Sequence, residues 1–356
     1  MKLSPVRVLI VDDSAVVRGL LSKALETDPD IEVAGTAMHG DLALTWLRKN
    51  TVDVVILDVE MPVMDGLTAL QKIQEDHPTV KVVMASSLTH KGAETTMKAL
   101  ALGAAGCIGK PQANSTAESM EQLARELVPL VKALRKPPRL AETDESSISR
   151  ITKTPPKPFN GAPLAIVIGS STGGPRALSQ VLTALPEDFS VPIFIVQHMP
   201  PMFTPMLAKH IQRDTGRPCT EAVNGAHIQR GHTYIAPGDF HLTIDKQDGY
   251  MVTVLNQADP EHFCRPSVNP LFQSASDWYG KSLLGVMLTG MGDDGIEGTR
   301  ELVAKGGYML SQDEASSVVW GMPAAVCREN LAKEILPITK IGLRISQICG
   351  EKVCYA

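Results

Sequence analysis

Short apolar runs alternate with amphipathic stretches of helix length through residues 6–125, and this alternation constrains the fold more than any other feature of the chain. Val6–Val11, Ile31–Ala34, Val54–Leu57, Val80–Ala85 and Ala105–Ile108 read as strands. Helices are predicted after Ser14, a residue type that caps helix N-termini, and at about 39–50, 66–76, 91–102 and 115–135. Parallel neighbours need a crossover between them. Five βα units therefore predict an α/β domain around a five-stranded parallel sheet, doubly wound in the flavodoxin-like manner.

The pattern stops near residue 132. Lys136-Pro137-Pro138, the acidic and serine-rich run Glu142–Ser147, and Thr154–Pro158 with its three prolines can hold neither a helix nor a core. Between 132 and 157 seven Lys/Arg face three Asp/Glu, but the acids are interspersed and aromatics are missing. That composition suits a solvated, flexible linker over residues 132–160 better than a nucleic-acid-binding arm. Two domains, 1–131 and 161–356, suit a chain of 356 residues, which exceeds what one core usually serves. The second domain again reads as doubly wound α/β. Its strands are predicted at Leu164–Ile168, Ile193–Val196, Thr233–Ala236, Leu242–Ile244, Val252–Leu255 and Leu283–Leu288, with helices starting near Pro175, Thr204 and Asp294. An antiparallel hairpin is expected around Asp248-Gly249.

Bulk properties narrow the function classes. A net charge of −5 offers no general affinity for nucleic acid, and no apolar run reaches the length of a membrane span. The opening Met1–Pro5 leads directly into a strand-like run and lacks a signal-peptide core. Cys107, Cys219, Cys264, Cys327, Cys349 and Cys354 are scattered without a CxxC pair, which suits reduced thiols and argues against a disulfide frame or a zinc site. The expectation is a cytoplasmic protein with no nucleic-acid partner and no membrane insertion.

Five polar residues stand at the carboxyl ends of the first domain's strands, where ligands of open parallel sheets gather: Asp12 and Asp13, Asp58, Ser86 and Lys110. Singly, each has an ordinary reading as a helix cap or a surface charge. Together, three carboxylates at one sheet edge suit a hard divalent cation such as Mg²⁺, and a lysine with a hydroxyl suits a phosphoryl group. Val11-Asp12-Asp13-Ser14, Leu57-Asp58 through Asp65-Gly66, Ala85-Ser86-Ser87 and Gly109-Lys110-Pro111 resemble the motifs of response-regulator receiver domains. The resemblance implies that Asp58 accepts phosphate from a histidine kinase, that Asp12, Asp13 and Asp58 hold Mg²⁺, and that Ser86 and Lys110 read the phosphoryl group. Cys107 stands where such domains often carry an aromatic switch residue.

The second domain carries a different chemistry. Gly169-Ser170-Ser171-Thr172-Gly173 meets the G-x-S-x-G pattern directly after a strand, the setting of a nucleophile elbow. Its glycines permit a tight turn with positive φ and leave space for a substrate carbonyl. Phosphate binding is the rival reading, but neither a P-loop lysine nor a G-x-G-x-x-G run is present. A serine needs a base, and six histidines follow the linker: His198, His210, His227, His232, His241 and His262. His198 ends a strand-like run ahead of Met199-Pro200-Pro201, while His232 and His241 stay open on position. A carboxylate is offered by Asp293 or Asp294, which spacing does not separate; either has a helix N-cap as its ordinary reading.

With the receiver motifs, the runs Gly169–Gly174, Gln197-His198-Met199 and Thr289–Gly295 resemble the chemotaxis protein-glutamate methylesterases of the CheB family. That resemblance implies Ser171 as nucleophile, His198 as general base and Asp294 as the orienting acid. It further implies Thr172 and Met291 as site-lining residues, the Met291 N–H serving as an oxyanion donor. The esterase chemistry would need no cofactor, and the substrates would be glutamyl methyl esters, and glutamines, on methyl-accepting chemotaxis receptors. The receiver would hold the esterase in check until phosphorylated. The family often has asparagine before the catalytic aspartate, whereas this chain has Asp293. Two other readings are an equivalent enzyme in a non-chemotaxis chemosensory pathway and a non-catalytic response regulator that binds partners.

Overall fold

A computed structural model describes residues 4–86, 90–111, 117–135 and 161–350. The chain divides into two compact units, Met1–Pro137 and Pro138–Ala356. Residues 136–160, most of the expected linker, lie outside the described residues.

The first unit alternates strand and helix as expected: β1 (Val6–Val11), α1 (Ala15–Leu25), β2 (Ile31–Ala37), α2 (Gly40–Leu47), β3 (Val54–Asp58), α3 (Gly66–Asp76), β4 (Lys81–Ser86), α4 (His90–Leu102), β5 (Gly106–Gly109) and α5 (Ala117–Leu134). The order β2-β1-β3-β4-β5, parallel throughout, reverses direction at β1. All five residues of β3 are buried, because a parallel strand covered by helices on both faces has no solvent side. Ser14 caps α1, its Oγ accepting from the Val17 N–H at 3.4 Å, so the helix start needs no capping from Asp12 or Asp13.

In the second unit come β6 (Ala165–Ser170), α6 (Gly174–Thr183), β7 (Ile193–Gln197), α7 (Thr204–Thr215), β8 (Cys219–Glu221), β9 (Thr233–Ile235), β10 (His241–Gln247), β11 (Tyr250–Asn256), α8 (Val268–Tyr279), β12 (Leu283–Met287), α9 (Ile296–Ala304), β13 (Tyr308–Gln312), α10 (Met322–Arg328), β14 (Glu334–Leu336) and α11 (Ile338–Ile348). Seven strands form one sheet in the order β14-β13-β12-β6-β7-β9-β8, every pairing parallel. From β6 the chain first winds outward through β7 and then returns to lay β12 on the other side. That reversal opens a crevice at the carboxyl ends of β12, β6 and β7.

β10 and β11 form the expected antiparallel hairpin, closed by Asp248 (φ +50°) and Gly249 (φ +88°). Both residues are left-handed, as a two-residue turn matched to strand twist requires. β10, β11 and α8 bury Leu242, Ile244, Val252 and Phe272 in the same core as Val167, Phe194 and Met287 of the sheet. β8, β13 and β14 carry no strong sequence signal; two are three-residue strands at the sheet's edges. Among the described residues no helix is long and apolar enough to cross a membrane.

Candidate active site

The receiver-type unit brings all five singled-out residues to one end of its sheet. Asp12 follows β1 directly, Asp58 closes β3, Ser86 closes β4 and Lys110 follows β5. Lys110 Nζ lies 2.6 Å from Asp58 Oδ2 and 3.0 Å from Asp12 Oδ2, and both carboxylates are buried. Asp12, Asp13 and Asp58 each present an oxygen within 4.8 Å of the others, a hard-donor set that fits a small divalent cation. Burial pushes the Asp58 carboxyl up to about 6, against the pull of the Lys110 ammonium. On Lys110 burial acts downward, but Asp58 and Asp12 outweigh it and raise the ammonium's pKa. The loop after Asp58 closes tightly: a Cβ on Gly66 would stand 2.0 Å from the Asp58 carbonyl oxygen, so glycine is required there. Cys107 lies on β5, and burial pushes its thiol up to about 12.

In the second unit the three separate runs converge on the crevice. Ser171 follows β6, His198 follows β7, and Asp294 lies in the turn after β12. Ser170 and Gln197 pair across β6 and β7, which sets Ser171 beside His198. The Gln197 side chain holds that adjacency, its Nε2 donating to the carbonyls of Ser171 (2.8 Å) and His198 (3.1 Å). The Ser171 N–H donates to the Thr289 carbonyl at 3.0 Å, tying β6 to the β12 turn.

The glycines of the serine turn have distinct jobs. Gly173 is left-handed (φ +79°) and starts α6. A Cβ on Gly174 would stand 1.9 Å from Gln197 Oε1, and one on Gly169 would press on Val268 and Met287. A Cβ on Gly173 would stand 2.6 Å from the Val318 side chain. The space beside Gly169 and Gly173 is therefore filled by the protein's own side chains, and the expectation that these glycines leave room for a substrate carbonyl is not met. Gly290 gives Ser171 its room, since a Cβ there would come within 2.9 Å of the Ser171 Cβ.

Asp294 is the inward of the two aspartates, 2% exposed, and it is not the N-cap of α9, a place held by Gly295. Its Oδ2 lies 2.7 Å from His198 Nε2 and accepts from the Val268 N–H at 2.8 Å. Its Oδ1 accepts from Ser267 Oγ at 2.7 Å. Ser267 is the N-cap of α8, so the carboxylate sits against the positive end of that helix. Burial pushes the Asp294 carboxyl up, but His198, Ser267 and the Val268 N–H prevail and hold it below the usual range. Asp293 points outward and pairs with His262 at 2.9 Å.

With Nε2 committed to Asp294, Nδ1 is the nitrogen of His198 left to serve a hydroxyl. Among the described residues it makes no hydrogen bond to Ser171 Oγ and instead faces Cys264 Sγ at 3.6 Å. Burial acts downward on the imidazole, yet Asp294 and the Cys264 sulfur outweigh it and hold His198 up at about 10. The rival histidines are engaged elsewhere: His241 takes the Ser267 N–H on Nδ1 and lies 3.1 Å from the Asp259 carbonyl, while His232 bonds Thr220. The Met291 N–H, at the mouth of the turn, has no hydrogen bond among the described residues. Thr172 is tied by its carbonyl to Thr289 Oγ1 at 2.9 Å. Thr289, Ser267 and Cys264 were not singled out as site residues. The signal available for Ser267 was Arg265-Pro266-Ser267, a capping residue behind a proline.

Comparison with known proteins agrees with both halves of the chain. Residues 166–345 match the family model "CheB methylesterase" and residues 8–121 match "Response regulator receiver domain". A protein-glutamate methylesterase/protein-glutamine glutaminase of Azospirillum brasilense is 44% identical over 98% of this chain and 93% of its own length. One of the group 2 operon of Rhodospirillum centenum is 43% identical over 98% of this chain and 95% of its own. Among solved structures, the CheB methylesterase catalytic domain of Thermotoga maritima superposes with a TM-score of 0.51 at 38% identity, covering 52% of this chain and 99% of that one. The chain belongs to the CheB methylesterase family, with a response regulator receiver domain preceding its catalytic domain.

Proposed function

We propose that the protein hydrolyses γ-glutamyl methyl esters on chemoreceptors, with Ser171, His198 and Asp294 as its catalytic triad, and that it deamidates receptor glutamines at the same site. The observation that carries this reading is the 2.7 Å bond between His198 Nε2 and a buried, fully hydrogen-bonded Asp294, beside the serine turn. Ser171 Oγ attacks the ester carbonyl carbon as its proton passes to His198 Nδ1, for which Cys264 Sγ must give way. Asp294 steadies the imidazolium. The oxyanion accepts from the Met291 N–H, with Thr172 lining the pocket. Collapse breaks the bond to methoxide, which takes the proton from His198 and leaves as methanol. Water, deprotonated by His198, then hydrolyses the acyl-enzyme to glutamate. For a glutamine the leaving group is ammonia.

Asp58 is the phosphate acceptor, supplied by a histidine kinase, and its phosphorylation raises esterase activity. Asp12, Asp13 and Asp58 would hold Mg²⁺, which when bound offsets the negative charge gathered between phosphoryl group and carboxylates. Lys110 and Ser86 contact the phosphoryl oxygens. These partners imply a cytoplasmic site of action. The direct test of the triad is methanol release from methylated receptor: Ser171→Ala should lower it by roughly 10⁴-fold or more. Release that survives the substitution would refute the assignment.

A further inference from the structure

We propose that the tight turn Glu261–Cys264 is a docking element for the receptor segment, with Phe263 as its apolar anchor; this rests on the ester-hydrolase reading above. Phe263 is fully exposed, at 103%, more than any other large hydrophobic residue described. A single exposed apolar side chain is ordinary on its own. What distinguishes Phe263 is how it is held. Both His262 (φ +49°) and Phe263 (φ +62°) are in the left-handed region, which bulky side chains rarely adopt and which clusters at ligand clamps. The turn is closed by reciprocal backbone bonds, Glu261 N–H to the Cys264 carbonyl (3.2 Å) and Cys264 N–H to the Glu261 carbonyl (2.8 Å).

One neighbour of Phe263 touches the proposed triad, and the other is bonded to a residue next to it in sequence. On one side, His262 Nδ1 meets Asp293 Oδ1 at 2.9 Å and Nε2 meets Glu297 Oε2 at 3.2 Å; Asp293 directly precedes Asp294. On the other side, Cys264 Sγ faces His198 Nδ1 at 3.6 Å. The Phe263 Cα is thus one residue step, about 3.8 Å, from that of a residue in contact with the catalytic base. The stem is fixed as well: Arg265 Nε and Nη2 donate to Asp239 Oδ1 at 2.9 and 2.6 Å, and Arg265 Nη1 donates to the Gln257 and Ala258 carbonyls. A ring presented on so constrained a frame loses little freedom on contact, which is how exposed aromatics become binding anchors. Asp293 gives His262 a charged partner. The ligand that fits is a peptide segment with an apolar side chain flanking the esterified glutamate. His262 acts as a positioning residue for the anchor.

The test compares two esters on the full-length protein: methylated receptor, and a small N-acetylated glutamate γ-methyl ester with no flanking segment. In Phe263→Ala the ratio of receptor to small-ester kcat/KM should fall roughly tenfold, carried by the receptor KM. Phe263→Leu should recover most of that ratio, and His262→Ala should lower it. A ratio that stays put in Phe263→Ala, or an equal loss on both esters, overturns the docking role while leaving the esterase reading intact. A wild-type enzyme that hydrolyses neither ester overturns that reading and the docking role together.

Discussion

Asp58 and Asp294 occupy matching places in the two units, at or just beyond the carboxyl end of a fully buried strand, and they are 1% and 2% exposed. Their surroundings treat the charge in opposite ways. Asp294 is met by a serine hydroxyl, a helix N-terminal N–H and an imidazole, and its carboxyl is held down. Among the described residues Asp58 has the Lys110 ammonium and a 3.2 Å bond from the Glu60 N–H, and burial holds its carboxyl up at about 6. A carboxylate wrapped in donors is fixed and unreactive, fit to orient a base. One with fewer donors keeps lone pairs available, fit to attack phosphorus. Burial alone therefore says little about a carboxylate's role. The count and kind of its donors say more.

Removing the charge from the held carboxylate should have the largest effect on the esterase. Asp294→Asn should lower kcat for methanol release by about 10⁴-fold, because His198 loses both its orientation and its counter-charge, while Asp58 phosphorylation is unaffected. Equal activity in the variant would remove the distinction between the two aspartates. Making Asp294 more like Asp58 should cost less. Ser267→Ala deletes one donor and is expected to lower kcat roughly tenfold, read by steady-state kinetics; no change would mean that the Val268 N–H and His198 suffice.

The smallest effect concerns the base. His198 works only when neutral, and its pKa is held up at about 10, so kcat/KM of the free enzyme should climb with pH through the alkaline range. Cys264→Ala removes one of the groups holding the imidazolium. The limb should then move to lower pH, with a severalfold gain near neutrality; an unmoved profile would show that the sulfur exerts no hold.

Much of this was legible in the sequence, for reasons that differ by region. The βαβ pattern of the first unit is read locally, because fully buried parallel strands such as Val54–Asp58 are uninterrupted apolar runs bounded by polar residues. Strand-end positions of Asp12, Asp58, Ser86, Lys110, Ser171 and His198 follow from the same boundaries. What stayed hidden depends on distance along the chain. Asp293 and Asp294 differ only in which one turns toward α8, 26 residues earlier. Ser267 and Cys264 reach Asp294 and His198 from a segment between the hairpin and α8 that has no periodicity to mark it. β8 and β14, of three residues each, are too short for any pattern to register. Gly169 and Gly173 mark the serine turn in the sequence, but the side chains that fill the space beside them come from other elements.

On the proposed function the two carboxylates belong to one device, in which charge chemistry at Asp58 governs acyl chemistry at Ser171. Methanol release from methylated receptor, measured with and without acetyl phosphate and Mg²⁺, tests it most directly in the wild type and in Asp58→Asn. The expected result is release that rises with the phosphodonor in the wild type and does not respond in Asp58→Asn. Release indifferent to the phosphodonor in both proteins would contradict the coupling, as would stimulation that persists without Asp58.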